Sequence, residues 1–197
     1  MPGPPRGVRG VPRAGRRLTA HVRQEQASGF ASTRYDAVMM YLSAMEFLEE
    51  EREAWRPFEA LDGLSDTDLV RPVAAAHGWS GRDLMVHIAA WVEQALGVAR
   101  ELAVSETSPG LARMDAEWAA GGDAMNARIA NEWAAMTLTD VRARFLAAPG
   151  ELRGTLTVIP EARWVKHPRH LQSFIDETTD HYADHAADLA AILAAAR

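Results

Sequence analysis

The amino-acid sequence predicts an all-α protein, most economically a four-helix bundle with short extra helices. Three observations carry this prediction. Apolar residues recur at three- and four-residue steps through several long segments, which is the period of an amphipathic helix. Serine and threonine capping signals precede these segments, and glycine or proline often follows them. Nothing alternates apolar and polar residues for long enough to predict a strand.

Composition limits the size of the protein and its chemistry. The chain has 197 residues, of which 48% are hydrophobic, and it contains no cysteine. One domain with a true core is therefore expected. Disulfides, thiolate metal ligands and cysteine nucleophiles are excluded, so any thiol must come from outside the chain. No apolar run approaches the ~18 residues of a membrane span, and no secretory signal is visible. We expect a cytoplasmic protein with no membrane partner.

Charge divides the chain near residue 34. Residues 1–34 contain seven arginines, one acidic residue and several prolines and glycines, without hydrophobic periodicity. This composition predicts a disordered extension. Residues 35–197 form the predicted bundle and carry 14 basic and 26 acidic residues. Because that body is acidic, a nucleic-acid partner is not expected.

The first long helix is predicted to start at Tyr35 and to end near Arg56, before Pro57. Its apolar stripe is Val38, Tyr41, Leu42, Met45 and Leu48, followed by an acidic run at 49–51 that we expect to be exposed. Ser65 then caps a short helical turn that Pro72 stops.

The second long helix has the clearest start signal, the capping box from Ser80 to Asp83. Its apolar stripe consists of Leu84, His87, Ile88, Trp91, Ala95, Val98 and Leu102. The spacing places His87 on the core side of this helix.

The next segment alternates between helices and breaks. Residues 105–110 are predicted to be a loop, and 112–120 a helix that ends at Gly121 and Gly122. Another helix is expected over 123–136. Thr139 is the expected cap of a third long element, which Pro149 and Gly150 should kink or divide in two.

One continuous last helix is predicted over about 169–196. Its buried stripe is Leu171, Phe174, Ile175, Thr178, Tyr182, His185, Leu189 and Ile192, with His181 beside it.

Three histidines on core stripes indicate a metal site. His181 and His185 are four residues apart, so one helix face would carry both rings, and His87 lies on another helix. A single histidine on an apolar face is more often a hydrogen-bonded core residue than a ligand. Three unpaired imidazoles in one core, however, would cost roughly 1–3 kcal/mol each, and one shared ion would relieve all three. Both interpretations remain open at this point.

The residues around these histidines exclude one enzyme class. His181 and His185 have the outer spacing of a zinc-protease motif, but Tyr182 stands where the general-base glutamate should be. Asp83 and Glu177 each precede a histidine by four residues. We interpret them as surface charges or as hydrogen-bond partners of ligands. His21, His77, His167 and His170 have no metal-binding spacing.

Two segments carry a family resemblance. The sequence resembles the DinB superfamily over residues 64–69, at Pro72, and strongly in the run Gly78-Trp79-Ser80-Gly81-Arg82-Asp83-Leu84-Met85-Val86-His87-Ile88-Ala89-Ala90-Trp91. A second match is His181-Tyr182-Ala183-Asp184-His185. Residues 125–133 look like the ClbS/DfsB-type branch. This superfamily includes the N-terminal domain of mycothiol-dependent maleylpyruvate isomerases and related thiol S-transferases.

The resemblance implies a four-helix bundle, often a homodimer, with a divalent metal held by His87, His181 and His185. Zinc and nickel both suit three imidazoles. It also implies a low-molecular-weight thiol such as mycothiol and a small-molecule electrophile. The isomerase branch has a glutamate ligand where this chain has histidine, which weakens maleylpyruvate as a substrate. We expect Trp79, Trp91 and Tyr182 to line the wall of the cavity.

Three functions follow as expectations. The first is a metal-dependent S-transferase or isomerase acting on a small electrophilic metabolite. The second is a detoxifying hydrolase or binder of a reactive metabolite, as in the ClbS-type branch. The third is a non-catalytic helical-bundle interaction protein, whose histidines are only hydrogen-bonded and whose role is association with a partner.

Overall fold

The computed structural model describes residues 41–197, and every regular element within them is a helix. The all-α prediction is therefore confirmed for that part of the chain. The predicted extension at 1–34, and the predicted helix start at Tyr35 with Val38, lie outside the described residues. The α-helices are α1 (Ala44–Trp55), α2 (Asp66–Leu69), α3 (Gly81–Val104), α4 (Pro109–Ala134), α5 (Leu138–Leu156), α6 (Pro168–Glu177), α7 (Thr179–Asp184) and α8 (Ala186–Ala195). Short 3-10 helices cover Arg56–Gly63, Ala74–Ala76 and Glu161–Arg163. None of the described helices is long and apolar enough to cross a bilayer.

Helix α1 begins later than the sequence predicts and buries a different face. The Ser43 hydroxyl caps it, accepting from the backbone N–H of Glu46. Leu42 therefore precedes the helix and is 79% exposed, and Met45 in the first turn is 61% exposed, so both predicted core positions are wrong. Glu51 is 1% exposed rather than part of an exposed acidic run, because it pairs with side chains of two other helices. The predicted end of the α-helix near Arg56 is confirmed.

Helix α3 is the centre of the fold. Ser80 and Asp83 form the predicted capping box at its start. The helix packs most extensively against α5 and next against α4. Its first residue, Gly81, lies so close to Leu69 that an added Cβ would be 2.7 Å from the Leu69 Cδ1 atom. The residue without a side chain thus lets α2 approach the start of α3.

Helix α4 contains the predicted interruption but starts earlier than expected. Ser108 caps the helix and Pro109 is its first residue, so the predicted loop ends at Ser108. Gly121 has φ 158° and ψ 96°, which divides the element into two helical halves. In a straight helix, Glu117 and Arg128 would be about 16 Å apart along the axis. Here the Arg128 guanidinium binds both carboxylate oxygens of Glu117, at 2.7 and 2.9 Å. The helix therefore bends sharply at Gly121.

Helix α5 differs from its prediction at the N-cap, and of the two outcomes predicted for Pro149, a kink or a division, the division into two pieces is wrong. Thr137, not Thr139, is the N-cap, and its hydroxyl accepts from the backbone N–H of Asp140. Pro149 lies within the helix, which continues to Leu156 as one element. Pro149 is buried. The packing of α5 against α3 offsets the hydrogen bond that the proline removes.

The predicted last helix is broken into α6, α7 and α8. Thr178 has φ −129° and ψ −93°, and its hydroxyl donates to the Phe174 carbonyl at 2.5 Å. Side-chain bonds of this type compete with the helical hydrogen-bond pattern. A second break falls at His185, with φ −99° and ψ 6°. The prediction of one continuous helix is therefore wrong, and the two breaks flank the segment that carries His181.

Candidate metal centre

Three histidines meet at one point of the fold, as the sequence predicts. His87 comes from α3, His181 from α7, and His185 from the junction between α7 and α8. One ring nitrogen from each lies within 4.8 Å of the other two. The Nε2 atoms of His87 and His181 are 2.9 Å apart, which is a hydrogen-bond distance. One of these two nitrogens donates and the other accepts.

The depth of the three rings differs from the prediction. His181 was expected beside the buried stripe and His185 squarely on it. His181 is instead the most buried, at 2% exposed, whereas His87 and His185 are half-buried. The break at Thr178 accounts for the change, since it turns α7 relative to α6. The cluster is therefore closed on the His181 side and more open at His87 and His185.

Asp188 is a candidate functional residue that the sequence did not reveal. Its Oδ2 atom is 3.0 Å from Nδ1 of His185, and it lies in the first turn of α8. A carboxylate on Nδ1 leaves Nε2 of His185 as the metal-binding nitrogen and fixes the orientation of the ring. The signal in the sequence is the three-residue spacing from His185 to Asp188, which lets both side chains meet on one helix face.

The two carboxylates singled out from the sequence have other positions. Asp83 accepts hydrogen bonds from the backbone N–H and the hydroxyl of Ser80, so it serves the helix cap and not a histidine. Glu177 is the half-buried last residue of α6. Asp188 therefore contacts a candidate ligand, whereas Asp83 caps α3.

His77 lies beside the same carboxylate. It is exposed, as the sequence indicates, and its Nε2 atom is 3.8 Å from the second oxygen of Asp188. Its backbone has φ 55°, a left-handed conformation that costs energy in a residue other than glycine. Asp188 thus lies between an inner histidine, His185, and an outer one, His77.

Aromatic rings surround the histidine cluster. Trp79 stacks on His185 with ring centroids 5.4 Å apart and contacts His87 edge-on at 5.0 Å. Trp91 contacts His181 at 6.1 Å and Trp118 at 6.0 Å. The expected positions of Trp79 and Trp91 agree with these contacts. Trp118 was not anticipated.

Tyr182 faces away from the cluster, which corrects its predicted place in the cavity wall. Its ring packs against Trp55 and Phe58, each at 5.5 Å, and its hydroxyl donates to Glu51 at 3.0 Å. Successive residues of a helix point in different directions, so its neighbour His181 can face the cluster while Tyr182 faces α1.

Glu51 is the centre of a buried polar group with Tyr182 and Arg153. The Arg153 guanidinium donates to the second Glu51 oxygen at 2.7 Å. Burial raises the pKa of the Glu51 carboxyl, and the Arg153 charge acts in the opposite direction. Burial also raises the pKa of the Tyr182 hydroxyl, so this group stays protonated and donates. The group joins α1, α5 and α7, and it therefore holds the helix that carries His181.

His167 and His170 have the structural role that their positions at a helix start suggest. Nδ1 of His167 caps α6 by accepting from the backbone N–H of His170. The His170 ring is buried against the carbonyl of Arg163, with 2.5 Å between Nδ1 and the oxygen. Burial lowers the pKa of His170, although this carbonyl acts the other way. Neither histidine belongs to the cluster of His87, His181 and His185.

The donor set of the cluster fits a divalent ion. Imidazole nitrogens bind zinc at ~2.0–2.1 Å, so two of them on one ion can be at most about 4.2 Å apart. The 2.9 Å between the Nε2 atoms of His87 and His181 is within that limit, whereas the span of up to 4.8 Å among all three nitrogens would require a ring to move by a few tenths of an ångström when an ion binds. Three neutral imidazoles suit zinc and nickel. Three protein ligands also leave coordination positions for water or substrate, which is typical of catalytic sites.

Comparisons of the chain with protein-family models, with curated proteins and with solved structures gave no match. The resemblance to the DinB superfamily therefore stays a prediction. The chemistry of the site must be argued from its own residues, namely three convergent imidazoles, one of which is oriented by Asp188.

Proposed function

We propose that the protein is a divalent-metal-dependent enzyme built on a DinB-like four-helix bundle, with His87, His181 and His185 as the metal ligands. The observation that carries the proposal is the convergence of these three rings from separate elements, with ligand nitrogens within 4.8 Å. Asp188 strengthens it, because a carboxylate on the remote nitrogen of a histidine is the usual companion of a metal ligand.

Two tryptophan side chains shield part of the histidine cluster from water. Trp79 covers the half-buried His185, and Trp91 lies against the buried His181. A site that excludes water strengthens each electrostatic interaction inside it. The ion, when bound, would activate water or hold a thiolate by Lewis acidity.

The most suitable activity is thiol-dependent S-transfer to, or isomerisation of, a small electrophilic metabolite. Since the chain contains no cysteine, the thiol must be a separate low-molecular-weight molecule such as mycothiol. The family resemblance points to the same chemistry. Three imidazoles leave room for a thiolate and an electrophile at one ion.

A non-catalytic role has one observation in its favour. The 2.9 Å contact between Nε2 atoms of His87 and His181 is also an acceptable hydrogen bond, which would satisfy two rings without an ion. In this alternative the Asp188 carboxylate satisfies the third ring, that of His185, by the same kind of bond. Metal content separates the two hypotheses.

The first experiment measures metal binding by protein prepared without a histidine tag. We expect one zinc or nickel ion per chain and a higher melting temperature after metal addition, because a ligand that binds only the folded state stabilises it. His185→Ala should lose the ion. His77→Ala is the matched control, since it removes an exposed neighbouring imidazole and should retain the ion. Absence of stoichiometric metal together with an unchanged melting temperature would contradict the proposal.

A second experiment separates transfer from hydrolysis. The metal-loaded protein is incubated with model electrophiles, with and without a low-molecular-weight thiol. We expect turnover only when the thiol is present. Turnover that does not depend on the thiol would exclude the transferase and support the detoxifying hydrolase.

A further inference from the structure

Trp91 has an unusual polar atom beside the candidate metal centre. Its side chain is 2% exposed, and its indole Nε1 atom is buried without a hydrogen-bond acceptor among the described residues. A buried donor left unsatisfied costs about 1–3 kcal/mol. Buried tryptophan N–H groups usually have a partner for this reason. This position therefore suggests that a bound molecule accepts a hydrogen bond from the Trp91 Nε1–H group when the site is occupied.

The location of Trp91 indicates where that group would lie. Trp91 follows His87 by four residues on α3, so both side chains lie on the same face of the helix, one turn apart. Its ring also contacts His181, with centroids 6.1 Å apart. The indole ring of Trp91 thus lies against the histidine cluster, on the side of the buried His181.

We infer that Trp91 Nε1–H donates a hydrogen bond to an oxygen of the small molecule bound at the histidine cluster. This inference rests on the proposed metal site and adds a ligand class to it. The ligand must present a carbonyl or carboxylate oxygen next to the atom that contacts the ion. Oxygen is required because sulfur is a weak acceptor, whereas a carboxylate strengthens the bond by its charge. Trp91 therefore selects the electrophile and not the thiol.

A second tryptophan provides a matched control. Trp164 is also fully buried, and its Nε1 atom also lacks an acceptor among the described residues. Its ring contacts are with Phe47 and Phe174, both edge-on, and neither is a candidate ligand. An aromatic face can accept an N–H weakly. Trp164 thus tests whether loss of any buried indole N–H produces the effects expected of Trp91.

The experiment uses the full chain loaded with cobalt(II), which replaces the natural ion and reports ligand binding by its visible absorption. Acetate and ethanethiol are the two probes. Trp91→Phe keeps an aromatic ring but removes the N–H, so the dissociation constant for acetate should rise about tenfold, the equivalent of one hydrogen bond. In the same variant the dissociation constant for ethanethiol should change less than about twofold. Trp164→Phe should leave the dissociation constants for acetate and for ethanethiol unchanged.

An independent signal comes from the indole ¹⁵N–¹H spectrum of the loaded wild type. The Trp91 resonance, assigned by its absence in Trp91→Phe, should move downfield when acetate binds. Unchanged acetate affinity in Trp91→Phe, absence of acetate binding by the loaded wild type, or an unmoved resonance would overturn the inference and leave the metal site intact. Failure of the wild type to bind cobalt would overturn the proposed function, and this inference with it.

Discussion

Asp188→Asn tests whether the histidine cluster is organised for metal binding. Asparagine has nearly the same size as aspartate and keeps an acceptor oxygen, but it loses the negative charge 3.0 Å from Nδ1 of His185. That charge makes the imidazole a better electron donor to an ion on Nε2. Loss of such a partner weakens metal binding by about 10- to 100-fold. The equivalent free energy is about 1.4–2.7 kcal/mol.

The assay is competition of the protein with a chromophoric chelator for zinc at constant ionic strength. Asp184→Asn is the charge control, because Asp184 is an exposed carboxylate next to His185 in sequence and its substitution changes the net charge equally. We expect it to change affinity by less than about twofold. Equal zinc affinity in Asp188→Asn and wild type would refute the assignment of Asp188 as the residue that orients His185.

The remaining predictions concern the helices that hold the site. Tyr182→Phe removes the hydroxyl that donates to buried Glu51, so the free energy of unfolding in urea should fall by about 1–3 kcal/mol; an unchanged value would mean that this bond does not stabilise the fold. Burial lowers the pKa of His170 in the folded state, so its contribution to stability is present above about pH 6.5 and is lost as the pH falls through the lowered value. The free energy of unfolding of a His170→Asn variant should therefore decline less steeply in acid than that of the wild type. Gly121→Ala should lower the melting temperature, because the φ of 158° at this position is strained for any residue other than glycine. Gly97→Ala is the control, since Gly97 is at an open position within α3 and its substitution should leave the melting temperature equal or higher. A higher melting temperature for Gly121→Ala would contradict the sharp bend in α4.

The elements with strong local signals could be predicted from the sequence. The start of α3 follows from the capping box at Ser80, and the break in α4 follows from Gly121. Both features depend on residues that are close together in the chain. The convergence of His87 with His181 could not be predicted from local signals alone, because it depends on which helices are neighbours. The core stripes showed only that both rings face inward.

The errors arose where tertiary contacts override local preference. Glu51 looked like part of an exposed acidic run, but Arg153 and Tyr182 satisfy its charge in the core. Pro149 was expected to kink the helix or divide it in two, and the division is wrong because α5 packs against α3 along one continuous helix. The break at Thr178 has no glycine or proline to mark it, so the exchange of depth between His181 and His185 could not be anticipated. The partners of Glu51 and of α5 are distant in sequence, whereas the bond from Thr178 to the Phe174 carbonyl is local.

X-ray absorption spectroscopy of the zinc-loaded full chain tests the central claim most directly. It counts the ligands of the ion and measures their distances. The proposed centre predicts three imidazole nitrogens at ~2.0–2.1 Å with light-atom ligands in the remaining positions, and loss of this pattern in His181→Ala. A first shell without three imidazoles in the wild type, or an unaltered spectrum in His181→Ala, would contradict it.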